Sequence, residues 1–251
     1  MSEEKVFFDN QHGERLAGIL HHPPSGNARG AVILCHGMES SKESGKLVFL
    51  GQALAQRDML ALRFDFACVG ESSGKFENIT YSGEVEDLET AVTFIRARHE
   101  RKIAILGSSM GGTVALLFAA CHPDIAAIVT VAAPVHPERY ASRLLTPEQI
   151  QQWSDSGHLF YHGQRLNVSL LHDLEQINVP DAAKKISCPV LILHGDRDDV
   201  VPVEEAQELH RYIPGAKKLS ILQGGDHRLS DPLLMNRAVG EAIEWLCEYA
   251  G

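Results

Sequence analysis

The chain has 251 residues, 44% hydrophobic and 22% charged, enough for one α/β-sized domain with a substantial buried core. Its formal net charge of −10 argues against a general nucleic-acid binder, which needs a basic footprint to displace counterions. The five cysteines are scattered and form no Cys-x-x-Cys pair, which argues against a disulfide framework or zinc site and fits a reducing, cytoplasmic setting.

Met1–Leu16 has acidic residues before its first lysine and no long apolar run, so it does not read as a signal peptide. Leu16–His21 and Ala31–Cys35 have strand character, and Lys46–Gln56 has helical apolar spacing. Leu60–Phe64 reads as a strand. Val85, Leu88, Val92 and Ile95 recur at three and four within Gly83–His99, giving one apolar helix face. Ile103–Leu106 then predicts a strand and Gly111–Ala120 a helix. Ile103–Pro123 lacks Asp, Glu, Lys and Arg, which meets the crude length rule for a membrane span. Its internal Gly107–Gly112 hinge instead divides it into a buried strand and a buried helix, so no membrane span is expected. Ile125–Val131 and Pro189–His194 are further strands. Val203–Tyr212 is a helix, Lys218–Leu222 a strand and Pro232–Tyr249 a closing helix.

Continuous Val/Ile/Leu strands between helices predict a mostly parallel sheet covered on both faces, in a single domain over residues 1–251. The first two strands lack a helix between them and are expected to run antiparallel. Pro134–Pro180 interrupts the alternation. A structureless loop longer than about 15 residues is uncommon in a compact domain, and Trp153, Leu159, Phe160, Tyr161 and Leu166 give this one apolar content. It is expected to be a cap inserted over the sheet end.

Gly107-Ser108-Ser109-Met110-Gly111 matches G-x-S-x-G between strand and helix. A serine on so tight a turn takes a strained backbone, and glycines two residues either side remove the Cβ atoms that would clash. Ser109 is the nucleophile by this spacing. Ser108 is not, because Leu106 stands two residues before it. A serine hydroxyl needs a base, and Gly224-Gly225-Asp226-His227 offers His227 after the last strand. The base needs a carboxylate, and Asp196, Asp198 and Asp199 compete in the loop after Pro189–His194. Asp196 suits a turn and Asp199 a helix cap, so Asp198 is preferred by the chain order Ser, Asp, His. Oxyanion donors are expected from the Met110 N–H and from the Cys35-His36-Gly37-Met38 loop through the Met38 N–H. His36 is expected to brace that loop.

Together these residues resemble the α/β-hydrolase superfamily over nearly the whole chain. They are most similar to compact serine esterases of the cinnamoyl/feruloyl type and to serine aminopeptidase-like hydrolases. The resemblance implies a cap between the sixth and seventh core strands. It implies an acyl-enzyme route for short-to-medium or aromatic acyl esters, with Ser109, His227 and Asp198 as catalytic residues, Met38 and Met110 at the oxyanion, and no cofactor. Thioesterase or peptidase chemistry and a non-catalytic small-ligand receptor are the alternatives. Relatives often have D-x-x-G-x-G-x-S, whereas Asp65–Ser72 has Cys68 at the first glycine. That departure predicts a differently bent loop and a cysteine close to the pocket, with structural burial favoured over reactivity.

Gly70–Phe76 misses the P-loop spacing and lacks its Ser/Thr, so ATP binding is not expected, and Gly107–Gly112 is not G-x-G-x-x-G. His158, His162 and His172 lack metal-motif partners, so no metal is expected. His21 and His22 are expected at a strand end on the surface, and Asp87 on a solvated helix face. The expected partner is a small-molecule ester, with a homodimer possible.

Overall fold

The computed structural model describes residues 2–251. The chain begins with β1 (Ser2–Asp9), β2 (Arg15–His22), β3 (Gly30–Cys35), α1 (Gly45–Gln56) and β4 (Met59–Asp65). It continues through α2 (Tyr81–Arg96), β5 (Ile103–Ser108), α3 (Met110–Ala119) and β6 (Ile128–Val131). An insertion follows, made of α4 (Glu138–Leu144), α5 (Pro147–Ser156), the hairpin β7 (His158–Tyr161) and β8 (Gln164–Asn167), α6 (Val168–Gln176) and α7 (Val179–Ala183). The last elements are β9 (Val190–Gly195), α8 (Val203–Tyr212), β10 (Lys217–Leu222) and α9 (Pro232–Ala250).

Eight strands form one sheet in the order β1-β2-β4-β3-β5-β6-β9-β10. The β1–β2 and β2–β4 pairs are antiparallel, and all later pairs are parallel. The pleat divides the apolar strand residues between two cores. Ala31, Ile33 and Cys35 of β3 join α2, α3 and α8 on one face. Val32 and Leu34 join α1 and α9 on the other. The α3 stretch is one buried ten-residue helix following a buried strand, as the glycine hinge predicts. Among the described residues no helix is long and apolar enough to cross a membrane.

Several expectations need correction. The strand β1 went unpredicted because Val6 is its only fully buried residue, which leaves almost no apolar alternation. The strands β2 and β3 do run in opposite directions as expected, with β4 lying between them, antiparallel to β2 and parallel to β3. His21 is fully buried, and its Nε2 accepts from Arg63 Nε at 2.9 Å. Asp87 is buried too: it accepts from Asn10 Nδ2 and from the Ala67 amide, each at 2.7 Å. Both polar groups face inward because tertiary partners replace their water.

Glu84 on α2 has no such compensation. It is 3% exposed, and neither carboxyl oxygen has a hydrogen-bond partner among the described residues. Burial, reinforced by Asp87 and Asp173, pushes its carboxyl well above the usual range. The folded chain therefore holds a proton that the unfolded chain releases above about pH 4.3, so stability falls as pH rises beyond that point. Glu84→Leu should raise stability at pH 8 by roughly 1–3 kcal/mol, with the gain shrinking toward pH 4. Urea denaturation across this pH range checks this, and a loss of equal size at every pH would refute it.

Candidate active site

Three chain segments meet beyond the carboxyl ends of the central strands. The first is the β5–α3 turn. Ser109 sits there with φ 52° and ψ −123°, a conformation that side chains rarely adopt. A Cβ on Gly107 would overlap the Gly111 carbonyl, and one on Gly111 would overlap the His36 carbonyl. The turn is held by the Ser109 amide donating to the Val131 carbonyl at 2.8 Å.

The second and third segments are the loops after β9 and β10. His227 Nδ1 lies 2.8 Å from Asp198 Oδ2, and His227 Nε2 lies 3.1 Å from Ser109 Oγ. The ionised Asp198 can only accept, so Nδ1 carries the proton and Nε2 is free to accept from the hydroxyl. This chain lets the imidazole take a proton from the serine while the carboxylate steadies the resulting charge.

The three candidate aspartates have separate environments. Asp196 Oδ1 accepts from the Gly224 amide at 2.6 Å, which ties the two loops together. Asp199 is exposed. Asp198 has no side-chain exposure, and its Oδ1 accepts from the amides of Val200 and Val201 at 2.9 and 2.7 Å. Burial opposes its charge, but hydrogen bonds from His194, His227 and Val201 hold its pKa well below the usual carboxylate range.

His194, at the end of β9, was not singled out in the sequence. It is 1% exposed, and its Nε2 lies 2.8 Å from the Val201 carbonyl and 3.3 Å from Asp198 Oδ2. One N–H thus serves both the loop and the carboxylate. A histidine four residues before an acid in a strand-end loop was the available signal.

The Met38 loop after β3 is braced from beneath. His36 Nδ1 donates to the Gly37 carbonyl at 2.8 Å, and its Nε2 accepts from the Phe66 amide at 3.2 Å. Burial lowers the His36 pKa, which keeps the ring neutral for this role. Asp65 accepts from the Lys42 amide and Nζ, each at 2.7 Å, and from the Glu71 amide at 3.0 Å. Lys42 and Asp65 are both buried, so each neutralises the other's desolvation. The amides of Met38 and Met110 have no acceptor among the described residues. The Met110 amide opens α3, where the helix dipole favours negative charge.

Cys68 takes φ 71°, so the loop keeps the left-handed bend without the usual glycine. Its thiol packs against the core, the burial favoured for it from the sequence, and does not line the cavity at Ser109. Burial pushes that thiol up. Among the described residues no group of three His, Cys, Asp or Glu side chains is placed to hold a metal.

The cavity has a volume of about 790 Å³, within the range of small-molecule sites. Ser109, His227, Met38 and Met110 line it together with Tyr140, Trp153, Leu159 and Tyr161 of the insertion.

This sheet order, with a serine turn and a histidine loop at its carboxyl end, defines an α/β-hydrolase fold. The structure is similar to Est1E from Butyrivibrio proteoclasticus, solved with ferulic acid bound, with a TM-score of 0.85 at 25% identity over 96% of this chain and 99% of that one. It is also similar to the esterase domain from a Rhodothermus marinus protein, with a TM-score of 0.79 at 25% identity over 100% of both. Residues 26–178 match the family described as serine aminopeptidase, S33 (Hydrolase_4), and the chain belongs to that family.

Among its relatives, 2,6-dihydropseudooxynicotine hydrolase of Paenarthrobacter nicotinovorans is 29% identical over 202 residues, covering 78% of this chain and 52% of that protein. The chain thus spans about half the length of that relative. The thermostable monoacylglycerol lipase of Bacillus sp. (strain H-257) is 24% identical over 237 residues, covering 88% of this chain and 91% of that protein.

The His194 contacts generate an expectation. Because the folded Asp198 has a depressed pKa, its stabilisation is present above the unfolded value of about 3.9 and is lost as pH falls through the folded value. His194→Phe removes one donor to Asp198 and leaves a buried carbonyl unpaired. It should cost roughly 1–3 kcal/mol and move the acid-unfolding midpoint to higher pH, as read by circular dichroism. An unchanged midpoint would mean that His194 does not support the carboxylate.

Proposed function

We propose that this chain is a hydrolase of carboxylic esters acting through an acyl-enzyme. The observation that carries this reading is the His227 imidazole bridging Ser109 Oγ at 3.1 Å and Asp198 Oδ2 at 2.8 Å. Ser109 Oγ attacks the ester carbonyl as its proton passes to His227 Nε2. The Met38 and Met110 amides receive the developing oxyanion. The tetrahedral intermediate collapses, and the leaving alkoxide takes the proton from His227. Water then attacks the acyl-enzyme with His227 again as base, releasing the acid and restoring Ser109. Every step uses groups of this chain and calls for no cofactor.

The insertion from Pro134 to Pro180 acts as a cap in this reading. Its Tyr140, Trp153, Leu159 and Tyr161 line an apolar wall suited to a medium-chain or aromatic moiety. Two similar proteins, an Est1E solved with ferulic acid bound and a monoacylglycerol lipase, support ester chemistry of that kind. The family description makes peptide bonds the second reading, since the same groups can protonate an amine leaving group.

Ser109→Ala should lower kcat by about 10^4- to 10^6-fold, the scale on which such groups act as a unit. A fluorophosphonate probe should label Ser109. A panel of p-nitrophenyl acyl esters, hydroxycinnamate esters and aminoacyl anilides ranks ester against amide turnover. Retained turnover in Ser109→Ala, or no adduct in the parent chain, would refute the reading.

A further inference from the structure

The cavity has two unlike ends. One is the apolar wall of the insertion. The other is formed by the first turn of α1 and the loops after β5 and β10, where Ser44, Lys46, Ser108 and Arg228 line the space. Lys46 Nζ donates to Ser108 Oγ at 3.2 Å, which occupies one of its three N–H donors. Among the described residues, neither Lys46 nor Arg228 makes an ion pair.

Glu39, Asp199 and Asp226 line the same cavity, but among the described residues none pairs with Lys46. Glu39 Oε1 faces His162 Nδ1 at 2.9 Å, and Asp226 Oδ1 accepts from the Ser230 amide at 2.8 Å. Asp198 is satisfied by His227 and two amides, and Asp199 is an exposed residue at the cavity lining. The first turn of α1 contains no acidic residue, so the positive end of that helix adds to the Lys46 charge. Burial pulls the Lys46 pKa down to about 8 against the opposing pull of Asp226 and Asp198. Most of it is therefore still charged at pH 7. This desolvated ammonium feels the charges of Asp226 and Asp198 but makes no direct ion pair, which is costly to fold, and it bonds the residue next to Ser109 in a chain of net charge −10.

We propose that Lys46 is a specificity-determining residue that takes a carboxylate borne by the substrate on the side of the scissile carbonyl away from the apolar wall. This rests on the serine-hydrolase reading and deepens it. The substrate is then an ester with an apolar moiety at one end and an anionic group a few atoms beyond the scissile bond at the other. Ser108, already bonded to Lys46, fixes the ammonium, whose two remaining N–H donors are available to the carboxylate.

Two pairs of esters test this. Hexanoyl glycolate against hexanoyl glycolamide places the charge on the alcohol part. Hexyl hydrogen succinate against hexyl succinamate places it on the acyl part. In at least one pair, the anionic member should have a kcat/KM about tenfold or more above its neutral partner, the scale of one charged hydrogen bond. Lys46→Met should reduce that ratio by about the same factor, and Lys46→Arg should retain it. The inference is overturned if both ratios are at or below one, or if Lys46→Met leaves them unmoved while Ser109-dependent turnover of the neutral esters persists. If no ester in the panel is turned over, the serine-hydrolase reading fails and this inference falls with it.

Discussion

The geometry of the site depends on the crossing of β5 and α3. The chain reverses there so tightly that carbonyls of Gly111 and His36 occupy the positions where Cβ atoms of Gly107 and Gly111 would stand. Ser109 consequently sits at positive φ, and strain of that kind costs roughly 1–3 kcal/mol. The surrounding sheet holds it in place, since the flanking strand and helix are buried on nearly every residue. The same turn projects the hydroxyl from the strand end and leaves the Met110 amide at the start of a helix. One steric constraint thus sets both the position of the Ser109 hydroxyl and an amide without an acceptor beside it.

The other groups come from loops, and the fold stiffens those loops by different means. The Asp198 loop is tied by its own amides and by His194. The Met38 loop rests on a buried ion pair between Lys42 and Asp65, with Arg63 donating to the Lys42 carbonyl at 2.9 Å and to His21 beneath it. These charged groups lie just under the site rather than in it. Their desolvation is offset by mutual pairing, and the result is a rigid platform. The insertion, by contrast, contributes mostly apolar side chains to the site. The division places hydrogen-bonded, charged supports beneath Ser109 and an apolar wall beyond it.

Residues whose role is dictated by local sterics were legible in the sequence. Ser109 follows from two glycines and a strand-to-helix context, and the parallel core follows from uninterrupted apolar runs such as Ala31–Cys35. His227 and Asp198 were chosen by chain order, with Asp196 assigned to a turn and Asp199 to a helix cap, and the structure brings His227 and Asp198 together. What stayed hidden depends on partners distant in the chain. His21 and Asp87 look like surface groups until Arg63 and Asn10 are brought against them. The hairpin β7–β8 has four residues per strand, too few for a period to emerge. Lys46 enters the sequence reading only as the start of a helix, and its contact with Ser108 depends on a residue 62 positions away.

The outer strands have a consequence for how copies of this molecule meet. At one border of the sheet, β1 presents Lys5 paired with Glu71, while Arg15 stacks over Phe7 at 3.9 Å. At the opposite border, Lys218 of β10 pairs with Glu241. Any continuation of hydrogen bonding from one molecule into the next would have to strip these charges of water and break their pairs. Charged side chains at both outer strands therefore oppose edge-to-edge growth of the sheet into a fibril.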